Sequence, residues 1–388
     1  MNASDILLDQ WSQQVKEIFP NLHTYQQEAL AFAVQGIIQS GNAVMQRVAE
    51  ASWDNLSSET KMVSHERRLQ RLVANKRIEV EACWNEFCKN TLPFWQNKPV
   101  TLILDMTPYT KEATIVYVGI VVQSRVLPVA WCVMPQQEHW DTGQWEILER
   151  LFQQIAPYFS AERCTMLADR GLSCLNLIKL CQKMGWHYVL RIKNEEWFRQ
   201  KFRHYYQGWV QGKHVIKKEG EAWYGKVLLW QEHQVEIWLS ACWEPGYQEP
   251  WFLISDRKAS HQRVREYAVR MRVEATFEDQ KSRGCMIECS RFTNRDHLNR
   301  WLLAVFLALW WMAHLGSSCI HHGHREQVDR KDRRDKGLFR IGRFWLKAIL
   351  KKANRDLGSA THTVNAQLAN CLPFSHRNQH LCFSIYRH

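Results

Sequence analysis

The sequence predicts an α/β protein. A mixed sheet flanked by helices is preceded by a helical segment, interrupted by a β-rich insertion and followed by a basic helical region. Three observations predict this. Apolar residues recur at three- and four-residue spacing through the first 96 positions. The period then switches to two over VTLILDMT, TIVYVGIVV and RVLPVAWCVMP. Beyond those runs, short apolar stretches alternate with helical patterns, the signature of layered α/β architecture.

Residues 1–96 read as helices: LLDQWSQQVKEIF, YQQEALAFAVQGIIQSGNAVMQRVAEA and SHERRLQRLVANKRIEVEACWNEFCKN. Arg67, Arg68, Arg71, Lys76 and Arg77 cluster in the last of these. A helical DNA-binding domain and a solvated basic helix face both fit that cluster. Residues 97–194 form the first part of a core: three strand candidates, then a helix opening after Asp141 as its cap, the strand CTMLADRG, the helix LNLIKLCQKMG and the strand HYVLRIK.

Residues 195–251 are compositionally distinct. Seven of the chain's 19 tryptophans fall between Trp197 and Trp251. WYGKVLLW and QVEIWLSACW are broken by KKEGEA and EPGYQEP, which reads as a β-rich insertion. The α/β pattern resumes over 252–318 with FLISD and the run YAVRMRVEATFEDQK, read as a helix. WLLAVFLALWWMAHLG (301–316) falls short of the roughly 20 residues a membrane span needs, so a buried core helix is expected and no membrane association.

The 388-residue chain is 46% hydrophobic and 23% charged, which excludes a disordered protein, and its net charge of +12 points to a polyanionic partner. Between residues 325 and 355 there are 12 Lys or Arg against 4 Asp or Glu. Phe339, Phe344 and Trp345 interleave with them, so residues 319–388 read as a basic region gripping a nucleic-acid backbone. None of the 12 cysteines forms a C-x-x-C pair, and most lie in apolar runs as Cys132, Cys164 and Cys181 do. A small-hydrophobe role in a reducing cytoplasm is expected. MNASDILLDQW has no signal-peptide pattern. Cys319, His321, His322 and His324 have zinc-ligand chemistry without a matching second cluster, and a polar linker is the expectation there.

Asp105 and Asp169 each end an apolar strand candidate, where the ligand sites of α/β sheets gather. Carboxylates are the ligands that Mg²⁺ and Mn²⁺ prefer, and a metal pair can serve phosphoryl transfer. A third carboxylate is available in YAVRMRVEATFEDQK. At about 100° per residue, Tyr267, Arg270, Glu274 and Lys281 share one helix face, beside an apolar stripe of Val269, Val273 and Phe277. Glu278 competes with Glu274 as the third ligand. Arg270 and Lys281 suit phosphates, and the Tyr267 hydroxyl can donate to one.

The spacing Tyr267-x2-Arg270-x3-Glu274-x6-Lys281 resembles the Y-R-E-K signature of the insertion-sequence-four family of bacterial transposases. LILDMT and LADRG resemble the two aspartate strands of the same DDE transposases. The resemblance covers residues 97–316 and implies a ribonuclease-H-like core carrying a β-rich insertion. It further implies that Asp105, Asp169 and Glu274 hold two divalent metal ions, Mg²⁺ or Mn²⁺, while Tyr267, Arg270 and Lys281 grip phosphates. The implied substrate is double-stranded DNA with terminal inverted repeats, joined to target DNA by a homodimer in the bacterial cytoplasm at the nucleoid. Trp238, Trp243 and Trp251 are candidates to stack a flipped base. A ribonuclease-H-like nuclease that cuts without joining, and an inactive transposase-derived DNA-binding protein, are the alternatives.

Overall fold

The computed structural model describes residues 2–57, 59–111, 113–122, 125–136, 141–202, 205–272, 287–334, 336–357 and 361–373. Five helices open the chain: α1 (Ala3–Ile18), α2 (Thr24–Ser40), α3 (Met45–Asn55), α4 (Met62–Ala74) and α5 (Val80–Thr91). The long second helical run of the sequence is split because Gly41 caps α2 in the left-handed conformation, with φ 66°. Arg67, Arg71, Lys76 and Arg77 are exposed on or just after α4. Arg68 instead lies half-buried, its guanidinium 4.9 Å from the Phe32 ring.

Ten strands form one mixed sheet. They are β1 (Val100–Pro108), β2 (Ala113–Val122), β3 (Arg125–Pro135), β4 (Cys164–Ala168), β5 (His187–Ile192), β6 (Trp197–Phe202), β7 (Tyr205–Gln211), β8 (Ala222–Leu229), β9 (Val235–Cys242) and β10 (Trp251–Ser255), in the order β3-β2-β1-β4-β5-β10-β9-β8-β6-β7. β1, β4 and β5 are parallel, and every other neighbouring pair is antiparallel. The β3-β2-β1-β4-β5 half, with two parallel crossovers, is a ribonuclease-H-like α/β fold. Helix α6 (Thr142–Ile155) makes the first crossover, and Asp141 caps it by accepting from the N–H groups of Gly143 and Gln144. Helix α7 (Leu175–Met184) makes the second and stops at Gly185, φ 69°. The tryptophan-rich strands β6 to β9 extend this same sheet, because β10 pairs with β5 on one side and β9 on the other.

After α8 (His261–Ala268) come α9 (Arg295–His321), α10 (Leu338–Asp356) and α11 (Thr361–Ala369). Helix α9 outruns the apolar stretch that nucleates it and, by length and hydropathy, could cross a bilayer. It is instead buried against α2, α4, α5, α10 and β3, as a core helix. CIHHGH does not form the expected linker: Cys319 to His321 are the last residues of α9. Among the described residues no three His, Cys, Asp or Glu side chains converge as a metal site. Phe339 is buried in the core at 3% exposure, so it is not part of a nucleic-acid surface. Buried thiols behave as hydrophobes, and burial pushes Cys132 up to about 12.

Helices α9 and α10 cross backbone to backbone at a glycine pair. A Cβ on Gly342 would lie 2.0 Å from the Met312 carbonyl oxygen, and one on Gly316 would lie 2.3 Å from that of Leu338. Helix propensity alone favours alanine over glycine by about 1 kcal/mol. Gly342→Ala is nevertheless expected to destabilise the protein by at least ~2 kcal/mol, because backbone cannot yield as a side-chain tip does. Urea unfolding measures this, and a stabilised variant would show that the helices can part without cost.

Candidate active site

β1 and β4 lie side by side in parallel, and their register pairs Leu104 with Ala168. The residues that follow are Asp105 in β1 and Asp169 just past β4, so two carboxylates emerge at one level from adjacent strands, roughly 5 Å apart across the sheet. The row continues on both sides. Tyr117 of β2 pairs with Asp105, and Arg191 of β5 follows the Ala168–Leu190 pair. Apolar neighbours enclose the row, and Asp105 is only 7% exposed.

Two like charges this close, one of them buried, need a cation. Arg270 supplies it: one nitrogen, Nη2, sits 2.8 Å from Asp105 Oδ2 and 3.3 Å from Asp169 Oδ2. Burial raises the Asp105 carboxyl above its usual range, and the Asp169 charge adds to this. The guanidinium and the Met106 N–H oppose it. Backbone N–H groups orient both acids, Met106 donating to Asp105 at 2.8 Å and Arg170 to Asp169 at 2.6 Å.

Arg270 reaches the acids because of a tightened turn. The run from Tyr267 to Lys281 was expected as one helix, with its charged face beside the strand ends and an adjoining apolar stripe on the sheet. The structure closes α8 at Ala268, turns over Val269 and Arg270, and is helical again at Met271 and Arg272; at the turn the Arg270 N–H donates to Tyr267 O, three residues back rather than four. The face that packs inward is the one bearing Val264, Tyr267 and Arg270, while Val269 is only half-buried. A charged arginine can lie on the buried face here because its carboxylate partners wait in the sheet. Glu274, Glu278, Lys281, Val273 and Phe277 lie outside the described residues.

Tyr267 is 1% exposed and its hydroxyl has no hydrogen-bond partner among the described residues. Burial raises its phenol well above the usual value, with Asp169 and Asp105 adding and Arg270 and Arg191 opposing. Its ring meets the edge of Trp251 at 5.1 Å, and Tyr247 stacks on Trp251 at 4.6 Å. Trp251 is therefore enclosed, at 5% exposure. Trp243 lies at the same end of the sheet, half-buried, with its indole N–H donating to Tyr247 O at 2.8 Å. Trp238 pairs with Ser255, two register positions toward the opposite end of the sheet from the row of the aspartates.

Sequence reasoning missed three charged groups at the site. Glu249, in the loop before β10, accepts from Arg191 at 2.7 Å and from Arg170 at 2.9 Å, so it holds the arginine next to Asp169 and the one in the acidic row. The signal was present: Arg191 interrupts the otherwise apolar strand HYVLRI, and a charge there needs a partner.

A ribonuclease-H-like sheet with two acids level with each other on adjacent parallel strands, Asp105 within β1 and Asp169 just past β4, defines the class of protein. The sequence matches the transposase DDE domain over residues 111–311, just over half of its length, and the chain belongs to that family. Asp169, Arg191, Tyr267 and Arg270 lie inside the matched stretch, and Asp105 lies six residues before it. No curated protein matches the sequence. Transposases of this kind act on DNA with divalent metal ions. The donor set fits such an ion, since two hard carboxylate groups already share a cationic nitrogen.

Tyr267→Phe removes a buried hydroxyl that has no partner among the described residues. It is expected to raise stability by about 1 kcal/mol in the protein free of DNA, read as a shift in the urea midpoint. A loss of that size would show that the hydroxyl is bonded.

Proposed function

We propose that this protein is a cut-and-paste DNA transposase of the insertion-sequence-four kind, acting by two-metal phosphoryl transfer. The observation that carries the reading is the sharing of the Arg270 guanidinium by Asp105 and Asp169 at one level of the sheet. Asp105, Asp169 and Glu274 would hold two Mg²⁺ or Mn²⁺ ions. When bound, such ions activate an attacking oxygen and stabilise the leaving one.

The chain's own residues orient the DNA. Tyr267, Arg270 and Lys281 grip phosphates near the element's end. Arg270 would then have two roles: neutralising the acids in the free protein, and donating to a phosphate when the acids hold metal ions. A positioned water attacks the phosphodiester at the end of the element, a P–O bond breaks, and a 3′-OH is released. That hydroxyl attacks the opposite strand to give a hairpin, which a second water opens. The regenerated 3′-OH attacks a target phosphodiester, whose P–O3′ bond breaks to leave a target 3′-OH.

A base leaves the stack during the hairpin step, and Trp243 is the candidate best placed to receive it. Trp251 already has Tyr247 on its ring, and Trp238 lies two register positions from the acidic row, toward the other end of the sheet. The terminal inverted repeats, a homodimer across two ends and a cytoplasmic site at the nucleoid complete the reading. The β-rich insertion at 195–251 and the flanking regions at 1–96 and 319–388 are its further modules.

Asp169→Asn and Glu274→Gln are each expected to lower Mg²⁺-dependent cleavage of end-containing DNA by at least about 10³-fold while leaving its binding within a few-fold. Glu278→Gln should cleave normally. A transposition assay with donor and target plasmids then separates joining from cutting alone. If Glu274→Gln cleaves and Glu278→Gln does not, Glu278 is the third ligand.

Arg270→Gln tests the shared-cation argument without activity. Titration of the DNA-free protein with Mn²⁺, followed by electron paramagnetic resonance, should show about tenfold tighter binding in the variant, because the competing guanidinium is gone. Equal or weaker binding would mean that Arg270 does not occupy the metal's place.

A further inference from the structure

A second site lies in the basic C-terminal region. The end of α9, α10 and α11 line a cavity of about 360 Å³. Its walls include His322, His324, Trp345, Lys352, Gln367 and Asn370. The rings form a series of near-parallel planes. His324 stacks on Trp345 at 4.8 Å and 21°, and His322 lies 6.3 Å from His324 at 19°.

The charge around the cavity has been sorted by the fold. Arg325 and Lys336 pair with buried Asp329, Arg330 pairs with Asp332, and Arg343 donates to the carbonyls of Gln39 and Ser40. These cations serve the structure. Lys347, Lys351 and Arg355 are exposed at i, i+4 and i+8 along α10, and Lys352 beside them lines the cavity. None of the four makes an ion pair among the described residues. Like charges at i,i+4 repel, so this ridge weakens the helix unless an anion covers it.

We propose that this cavity takes an unpaired nucleobase of a DNA strand, stacked on the His324–Trp345 pair, with the α10 ridge lying along the strand's phosphates. The inference rests on the reading of the protein as one that acts on DNA. A ring platform recognises base faces, which a duplex conceals between its own stacked pairs and a single strand exposes. The amide group of Gln367 and the ammonium of Lys352 supply donors and acceptors for a base edge. Cutting and rejoining of element ends generates such unpaired nucleotides. The site lies on elements outside the acidic row, so the two can be tested apart.

Fluorescence anisotropy of the full chain, with a labelled single-stranded 15-mer and the duplex of the same sequence, tests this. His324→Ala and the exposed His322→Ala should each weaken single-strand binding by roughly 5- to 100-fold, the range for loss of one base–aromatic stack, and change duplex binding less than about twofold. Lys351→Gln should weaken both and flatten the salt dependence. Unchanged single-strand affinity in both histidine variants, or equal losses for both DNA forms, would overturn the base site while leaving the transposase reading intact. A wild-type chain that binds neither DNA form would refute that reading and the base site together. Circular dichroism of His322→Ala, whose side chain is at the surface, keeps the result independent of folding.

Discussion

Three tryptophans on α9 donate their indole N–H groups to backbone carbonyls in three separate parts of the chain. Trp301 reaches Ala43 after α2, Trp310 reaches Pro128 in β3, and Trp311 reaches Cys371 after α11, each at 2.7–2.8 Å. Burying an aromatic of this size stabilises by about 2–3 kcal/mol, and the N–H then needs a partner of its own. One helix thus fixes the N-terminal helices, the sheet and the C-terminal helices to a common frame. Glycines at the α9–α10 crossing let the last of these approach to backbone contact.

Within that frame the acidic row is an electrostatic problem that the fold solves locally. Parallel register places Asp105 and Asp169 level with each other, and burial penalises the charge on Asp105. In the free protein a single guanidinium offsets both charges. Glu249 does the converse for Arg170 and Arg191, so cations and anions alternate around the site. Under the proposed function, a phosphodiester entering this lattice would meet arginines already oriented, and a metal ion would meet carboxylates already gathered. Family membership gives these groups their setting: a transposase DDE domain on a ribonuclease-H-like sheet.

The basic composition of residues 325–355 turned out to have two physical uses. Part of it neutralises a fully buried carboxylate, Asp329, and secures the end of α2 through Arg343. Lys347, Lys351, Lys352 and Arg355 instead stay exposed along α10. Charge counts cannot separate these, because Arg343 and Lys347 look alike in the chain and differ only in what lies opposite them.

Much of the fold was legible from the chain itself. The strands β1 to β5, the Asp141 cap and the apolar helix around Trp301 follow from local periodicity and turn chemistry, which depend on near neighbours alone. The two aspartates were legible as acids ending apolar runs. The break after Ala268 was not legible, because helical spacing continues through it, and the tightening is imposed by the salt bridges of Arg270 to acids 165 and 101 positions away. Nor could periodicity reveal that the tryptophan-rich strands join the core sheet, since pairing between β10 and β5 is a long-range choice. The sequence by itself determined which residues could be strands, helices and ligands. The tertiary structure decided which charges face each other, because Coulomb and desolvation energies depend on distances that only the packed chain sets.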